Sequence, residues 1–146
     1  MPKPVTPRWY VDADTLGLAH ILVRARRDVT FCGDDGRRHS KQWTTSPCVI
    51  QDTATADDVW IPKVTAAGLA ILTRDKHIER RTAEKDAVLT ARARMFAITS
   101  EEVLDGWGLL EVVVTQWRHV EQAAEKPGPY IYAVTRSGMR EISLTS

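Results

Sequence analysis

The chain of 146 residues has two cysteines, Cys32 and Cys48, and no apolar run near the ~18 residues that a membrane-spanning helix needs. The cysteines lack the paired spacing of a zinc finger, which argues against a structural zinc site and for free thiols in a reducing compartment. The four histidines, at positions 20, 39, 77 and 119, include no pair spaced four apart, so a helix-borne zinc hydrolase site has no basis. No serine or cysteine stands in a nucleophile-elbow pattern, and covalent catalysis has no support. Residues 1–8 carry Lys3 and three prolines but no apolar signal core, so a cytoplasmic protein is expected. Charge of one sign is missing too: 20 Lys and Arg stand against 19 Asp and Glu, a formal net charge of +1. Any nucleic-acid site must therefore come from the placement of charge and not from its total.

What is present is an alternation of elements. Residues 9–11 form a short apolar run ending at Asp12, the pattern of a buried strand. Residues 16–27 place Leu18, Leu22 and Ala25 on one face and end in Arg24, Arg26 and Arg27, as suits the C-terminal end of an amphipathic helix. Residues 29–32 predict a second strand and residues 33–47 a polar loop. Thr55 has the place of an N-cap, with Asp57 and Asp58 in the first turn. Pro62 predicts a turn over 57–60 and a helix confined to 62–67, closed by Gly68. Strands are expected over 69–73 and 95–98, with a helix over 82–92 between them. A long helical region should start at Ser100 with Glu101 and Glu102, break at Gly106 and Gly108, and run to about 125. Residues 130–134 and 139–144 read as a hairpin.

Strand and helix in alternation give an α/β fold with a mostly parallel central sheet and helices on both faces. Sites in such sheets lie beyond the carboxyl ends of the strands, which places Asp12 and Asp75 on one rim. Asp14 and the Asp57-Asp58 pair lie close to the same rim in this reading. Converging carboxylates repel, and a hard divalent cation, Mg²⁺ or Mn²⁺, relieves the repulsion. Such an ion suits phosphodiester hydrolysis without a protein nucleophile. The competing reading, aspartates as helix caps and loop acids, applies to each residue singly more readily than to Asp12, Asp57 and Asp75 together. Beside Asp75, the residues Arg74, Lys76, His77, Arg80 and Arg81 form a basic loop that would attract a phosphate backbone. Arg37, Arg38, His39 and Lys41 form a second basic patch. Of five tryptophans, Trp9, Trp60, Trp107 and Trp117 read as core or interface, and Trp43 as the one candidate for stacking a base.

Three segments resemble a known family. Tyr10-Val-Asp-Ala-Asp-Thr-Leu-Gly17 resembles the opening of PIN-like domains. Asp57-Asp-Val-Trp-Ile-Pro62, Gly68 and Ile71-Leu-Thr-Arg-Asp-Lys76 resemble the central signature of the VapC-type toxin subfamily, and residues 128–138 its closing hairpin. The resemblance runs from Trp9 to Leu144. It implies a single PIN-like domain over 1–146, with a three-layer α/β/α core at about 9–125 and a C-terminal β-hairpin at 129–145. It also implies a Mg²⁺- or Mn²⁺-dependent ribonuclease, the toxin of a type II toxin–antitoxin pair, whose partners are RNA, a cognate antitoxin protein and a second copy in a homodimer. By position, Asp12, Asp57 and Asp75 match the catalytic metal ligands, with Asp58 and Asp14 as supporting acids. Arg74, Lys76 and Arg81 would seat the substrate. Glu84 lies where the subfamily often has a glutamate, with no role assigned. Lys76 and His77 stand where a fourth acid is common, so one metal or two remains open. The apolar stretch 109–117 fits a dimer interface or core. Two alternatives stand beside this reading: a catalytically silent PIN-like module binding RNA or protein, and a haloacid dehalogenase-type phosphatase, whose order of acids and lysine this chain does not follow.

Overall fold

The computed structural model describes residues 3–38, 43–100 and 105–145. His39 and Lys41 of the second basic patch, and the helix start at Glu101 and Glu102, lie outside the described residues. In chain order the elements are β1 (Lys3–Pro4), β2 (Trp9–Val11), α1 (Leu16–Ala25), β3 (Val29–Phe31), β4 (Trp43–Thr44), α2 (Asp57–Ala66), β5 (Ala70–Arg74), α3 (Thr82–Ala91), β6 (Arg94–Ile98), α4 (Gly106–Ala124), β7 (Tyr130–Thr135) and β8 (Gly138–Ile142). Six strands form one sheet in the order β3-β2-β5-β6-β7-β8. Every neighbouring pair is parallel except the closing hairpin β7–β8.

Strand periodicity divides the apolar residues between two cores. Trp9, Val11, Ala70, Leu72, Phe96 and Ile98 face α1 and α4, where Leu18, Leu22, Val112 and Val113 meet them. Tyr10, Ile71, Met95, Ala97 and Ile131 face α2 and α3, where Trp60, Ile61, Val64 and Val88 meet them. Both faces of the sheet are covered, which is why β5 and β6 read as nearly continuous apolar runs. The result is the expected three-layer α/β/α arrangement.

Three local expectations are corrected. The helix begins at Asp57, not Pro62, and carries Pro62 inside it. A proline there costs about 3 kcal/mol. Burying Ile61 and Val64 completely returns ~1.5–3 kcal/mol each, with Trp60 in addition, so packing decides. Thr55 does not cap this helix: the N-cap is Ala56, and the Thr55 hydroxyl donates to the Asp52 carbonyl at 2.6 Å. Gly106 and Gly108 do not break α4 but open it, because the Asp105 carboxylate accepts from the Gly108 N–H at 2.8 Å and caps the first turn.

The polar loop contains more order than its composition indicates. β4 pairs with β1, with Lys3 opposite Trp43. Arg38, expected in an accessible basic patch, is turned inward and only 4% exposed. Its guanidinium donates to Asp34 at 2.8 and 2.9 Å and to the Val29 carbonyl at 3.1 Å, on the edge strand of the sheet. The stretch 109–117 also divides. Leu109, Val112 and Val113 are core, whereas Val114 and the preceding Trp107 are exposed. Among the described residues no helix is long and apolar enough to cross a membrane.

Candidate active site

The register of the central strands sets the rim. Val11 pairs with Leu72, and the Asp12 N–H donates to the Leu72 carbonyl at 3.0 Å, so Asp12 leaves β2 alongside Thr73. The Asp75 N–H continues the β5–β6 ladder by donating to the Ile98 carbonyl at 3.1 Å. Helices α2 and α3 begin at the same end, and their first turns supply Asp57, Asp58 and Glu84. Two helix N-termini thus point positive dipole ends toward the rim.

The carboxylates are held individually. Asp12 Oδ1 accepts from the Ala13 N–H at 2.7 Å. The Thr73 hydroxyl lies 3.3 Å from Asp12 Oδ2 and 2.9 Å from Asp14 Oδ2, bridging the two acids. Asp57 Oδ1 accepts from the Trp60 indole N–H at 2.8 Å. Asp75 accepts from the His77 N–H at 2.8 Å and from Arg81 Nε at 3.0 Å. Asp58 is exposed beside Asp57.

These acids lie close enough to shift one another's protonation. Burial pushes Asp12 above the ordinary carboxylate range and the charge of Asp57 adds to it, while the Ala13 N–H and Thr73 hydroxyl oppose the shift. Asp14 is an exposed residue, but its carboxylate turns toward Thr73, whose hydroxyl donates to it, and is partly desolvated there. That desolvation, then the charge of Asp12, pushes it up to about 7. Glu84 is buried and pushed up to about 8, first by desolvation and then by Asp57, Asp75, Asp12 and Asp14. One side chain feels all four aspartates.

The structure thus brings Asp12, Asp14, Asp57 and Asp75 to one rim and adds Glu84 beneath them. No group of three or more His, Cys, Asp or Glu among the described residues is arranged to hold a metal ion as it stands. The rim acids nevertheless fit a hard divalent cation in chemistry, since the donor set is all carboxylate oxygen.

The basic residues divide by role. Arg81 is engaged with Asp75. Arg74 ends β5, and its backbone N–H supports Asp14. Lys76 is exposed and lines a polar cavity of about 500 Å³ with His77, Arg80 and Arg140. Sequence reasoning missed Thr73 and left Glu84 without a role. A signal for Thr73 was available: it is the polar residue in the run Ala-Ile-Leu-Thr, and strand alternation puts it on the same side as Asp75.

The arrangement defines a parallel α/β protein with an acidic rim. A family model described as a PIN like domain matches residues 8–100, more than half of the chain. The protein belongs to the PIN-like domain family and has a nuclease-type fold. The match takes in every acid of the rim and leaves out α4 and the hairpin. Neither a curated protein nor a solved structure matches the chain significantly.

Proposed function

We propose that the protein is an endoribonuclease that hydrolyses RNA phosphodiester bonds with Mg²⁺ or Mn²⁺ held among Asp12, Asp57 and Asp75, supported by Asp14 and Asp58. The observation that carries this reading is geometric: Asp12, Asp14, Asp57 and Asp75 gather at the rim beyond β2 and β5, around the buried Glu84 of the first turn of α3. A divalent ion bound there supplies charge neutralisation and Lewis acidity toward a phosphoryl group. The chain's own residues do the rest. Ala13 and Thr73 fix the orientation of the Asp12 carboxylate. Glu84 holds its proton at neutral pH, which lessens repulsion under the aspartates. Arg74, Lys76 and Arg81 seat the RNA backbone through contacts that position it without reading sequence. The finer reading, from the resemblance of the central and hairpin segments, is the toxin of a type II toxin–antitoxin pair, acting in the cytoplasm as a homodimer and restrained by a cognate antitoxin.

Calorimetric titration of Mn²⁺ into wild type and Asp75→Asn tests the metal site, and RNA cleavage by wild type and Asp12→Asn tests the chemistry. Saturable Mn²⁺ binding lost in Asp75→Asn, with cleavage lost in Asp12→Asn, is expected. Undiminished cleavage after Asp12, Asp57 and Asp75 are all changed to Asn would defeat the reading. A second reading, a catalytically silent module, draws on the Arg81 contact that already occupies Asp75. It predicts RNA affinity retained or improved in Asp12→Asn and no cleavage by wild type.

A further inference from the structure

Away from the acidic rim, the open edge of the sheet carries a second cavity. It measures about 580 Å³ and is lined by His20, Val23, Arg24, Phe31, Arg38 and Trp43, with Arg37 beside them. That size lies within the ~300–1,000 Å³ typical of small-ligand sites. Strand register sets its position: β3 pairs with β2 so that Phe31 lies opposite Val11, one residue before Asp12. His20 stands one turn into α1, which itself begins just after Asp14. The cavity therefore starts beside the rim and runs along the edge strand.

Its walls are built and fixed. Arg38 is locked on Asp34, which also accepts from the Thr30 hydroxyl at 2.8 Å and the Gly36 N–H at 2.9 Å. Trp43 is positioned by the β1–β4 pairing, reinforced where the Val5 N–H donates to the Thr44 carbonyl at 2.9 Å. Trp43 is half-buried and lines the cavity, and its indole nitrogen is buried without a hydrogen-bond partner among the described residues. His20 and Phe31 pack edge to face with centroids 5.0 Å apart. The rim carries cations: Arg24 is exposed with no ion-pair partner among the described residues, and Arg37 is exposed with a loose 3.7 Å contact to Asp35.

Aromatic surface flanked by exposed guanidinium groups matches a nucleobase with its adjoining phosphates. An acidic peptide would pair with the same guanidinium groups, but a nucleotide offers in one unit both a flat ring to stack and a phosphate to pair. We propose that this cavity is a stacking subsite for single-stranded RNA, holding a nucleotide displaced from the scissile bond on Trp43 and Phe31, with Arg24 and Arg37 on the neighbouring phosphates. The inference rests on the nuclease reading of the rim. Ring stacking is tolerant of base identity, so the subsite contributes affinity and register and little sequence preference.

The test is fluorescence anisotropy of a labelled single-stranded oligoribonucleotide, with the same oligomer carrying abasic positions as control, on the full chain as wild type, Trp43→Ala, Trp43→Phe and Arg24→Gln. About a ten-fold loss of affinity in Trp43→Ala and near-wild-type affinity in Trp43→Phe are expected. The abasic oligomer should erase the difference between wild type and Trp43→Ala. Arg24→Gln should flatten the salt dependence of binding. In cleavage, Trp43→Ala should raise KM for the oligomer and leave a dinucleotide substrate unaffected. Equal binding and cleavage of the oligomer by wild type and Trp43→Ala would overturn the subsite and leave the nuclease reading standing. Ring-dependent binding without cleavage by wild type would support the subsite and remove the nuclease reading. Loss of binding in Trp43→Phe as severe as in Trp43→Ala would assign Trp43 a purely structural part and overturn the subsite.

Discussion

Arg81 Nε donates to Asp75 Oδ2 at 3.0 Å, so the acid that follows β5 is already held by a cation from its own chain. A divalent ion at the rim has to compete with that guanidinium. Arg81→Ala is expected to tighten Mn²⁺ binding several-fold, measured by calorimetry, and to weaken RNA binding at low salt. Weaker metal binding in the variant would make Arg81 a positioning residue for Asp75 and not a competitor.

Glu84 gives the metal-free protein a characteristic pH dependence. Its carboxyl is raised to about 8 in the folded chain from an ordinary 4.5. Across that window the unfolded chain releases the proton and the folded chain keeps it, so stability falls as pH rises from about 4.5 to 8. The slope from one such group is at most about 1.4 kcal/mol per pH unit. Glu84→Gln is expected to flatten part of this slope and to raise the melting temperature at pH 8 in the presence of a chelator. An unchanged slope would show that Glu84 is ionised in the folded protein.

Thr73→Val keeps the shape of a side chain that is 1% exposed and removes the hydroxyl bridging Asp12 and Asp14. The expected loss at pH 8 is about 1–2 kcal/mol, at the lower end for a bond to charged groups because Asp14 is partly open to water. The loss should shrink at pH 5, where Asp14, raised to about 7, has taken up its proton. Chemical denaturation at the two pH values reads the difference. Equal losses would point to packing alone.

The buried pair Arg38–Asp34 sets a larger effect. Arg38→Met leaves Asp34, 1% exposed, without its cation and removes a donor from the Val29 carbonyl. A loss of about 3–5 kcal/mol is expected. Adding Asp34→Leu should recover part of it, since an apolar pair avoids the stranded charge. A double variant no better than the single one would mean that the Thr30 and Gly36 contacts of Asp34 carry the loop.

Much of this architecture is legible from periodicity. The helix from Leu16, which ends at Ala25 and not at 27, the strands ending before Asp12 and Asp75, and the terminal hairpin all follow from apolar spacing, and the parallel-sheet rule then puts both acids on one rim. Errors arose where a local preference met a tertiary one. Pro62 and Gly108 are poor helix residues by intrinsic propensity, but a buried Trp-Ile-Val face and the Asp105 cap outweigh them. Arg38 read as solvated because nothing in the sequence marks its partner, Asp34, apart from the adjacent and exposed Asp35. Glu84 was visible as a position but not as a buried one, since helical spacing cannot tell a first-turn surface acid from one aimed beneath four aspartates. The metal-ligand roles of the rim acids rest on the experiments above.

The span matched by the family model stops short of the sheet's full width. Residues 8–100 contain the whole rim, yet β6 takes its far neighbour from β7, and Phe96 lies 5.9 Å from the ring of Tyr130 and 5.6 Å from that of Tyr132. Val112, Val113 and Val120 of α4 roof the same side. A fragment cut after residue 100 would bare the backbone of β6 as a flat, apolar template open to pairing with other chains. The tail thus moves the edge of the sheet from the apolar β6 out to β8, whose Arg140 and Glu141 are exposed.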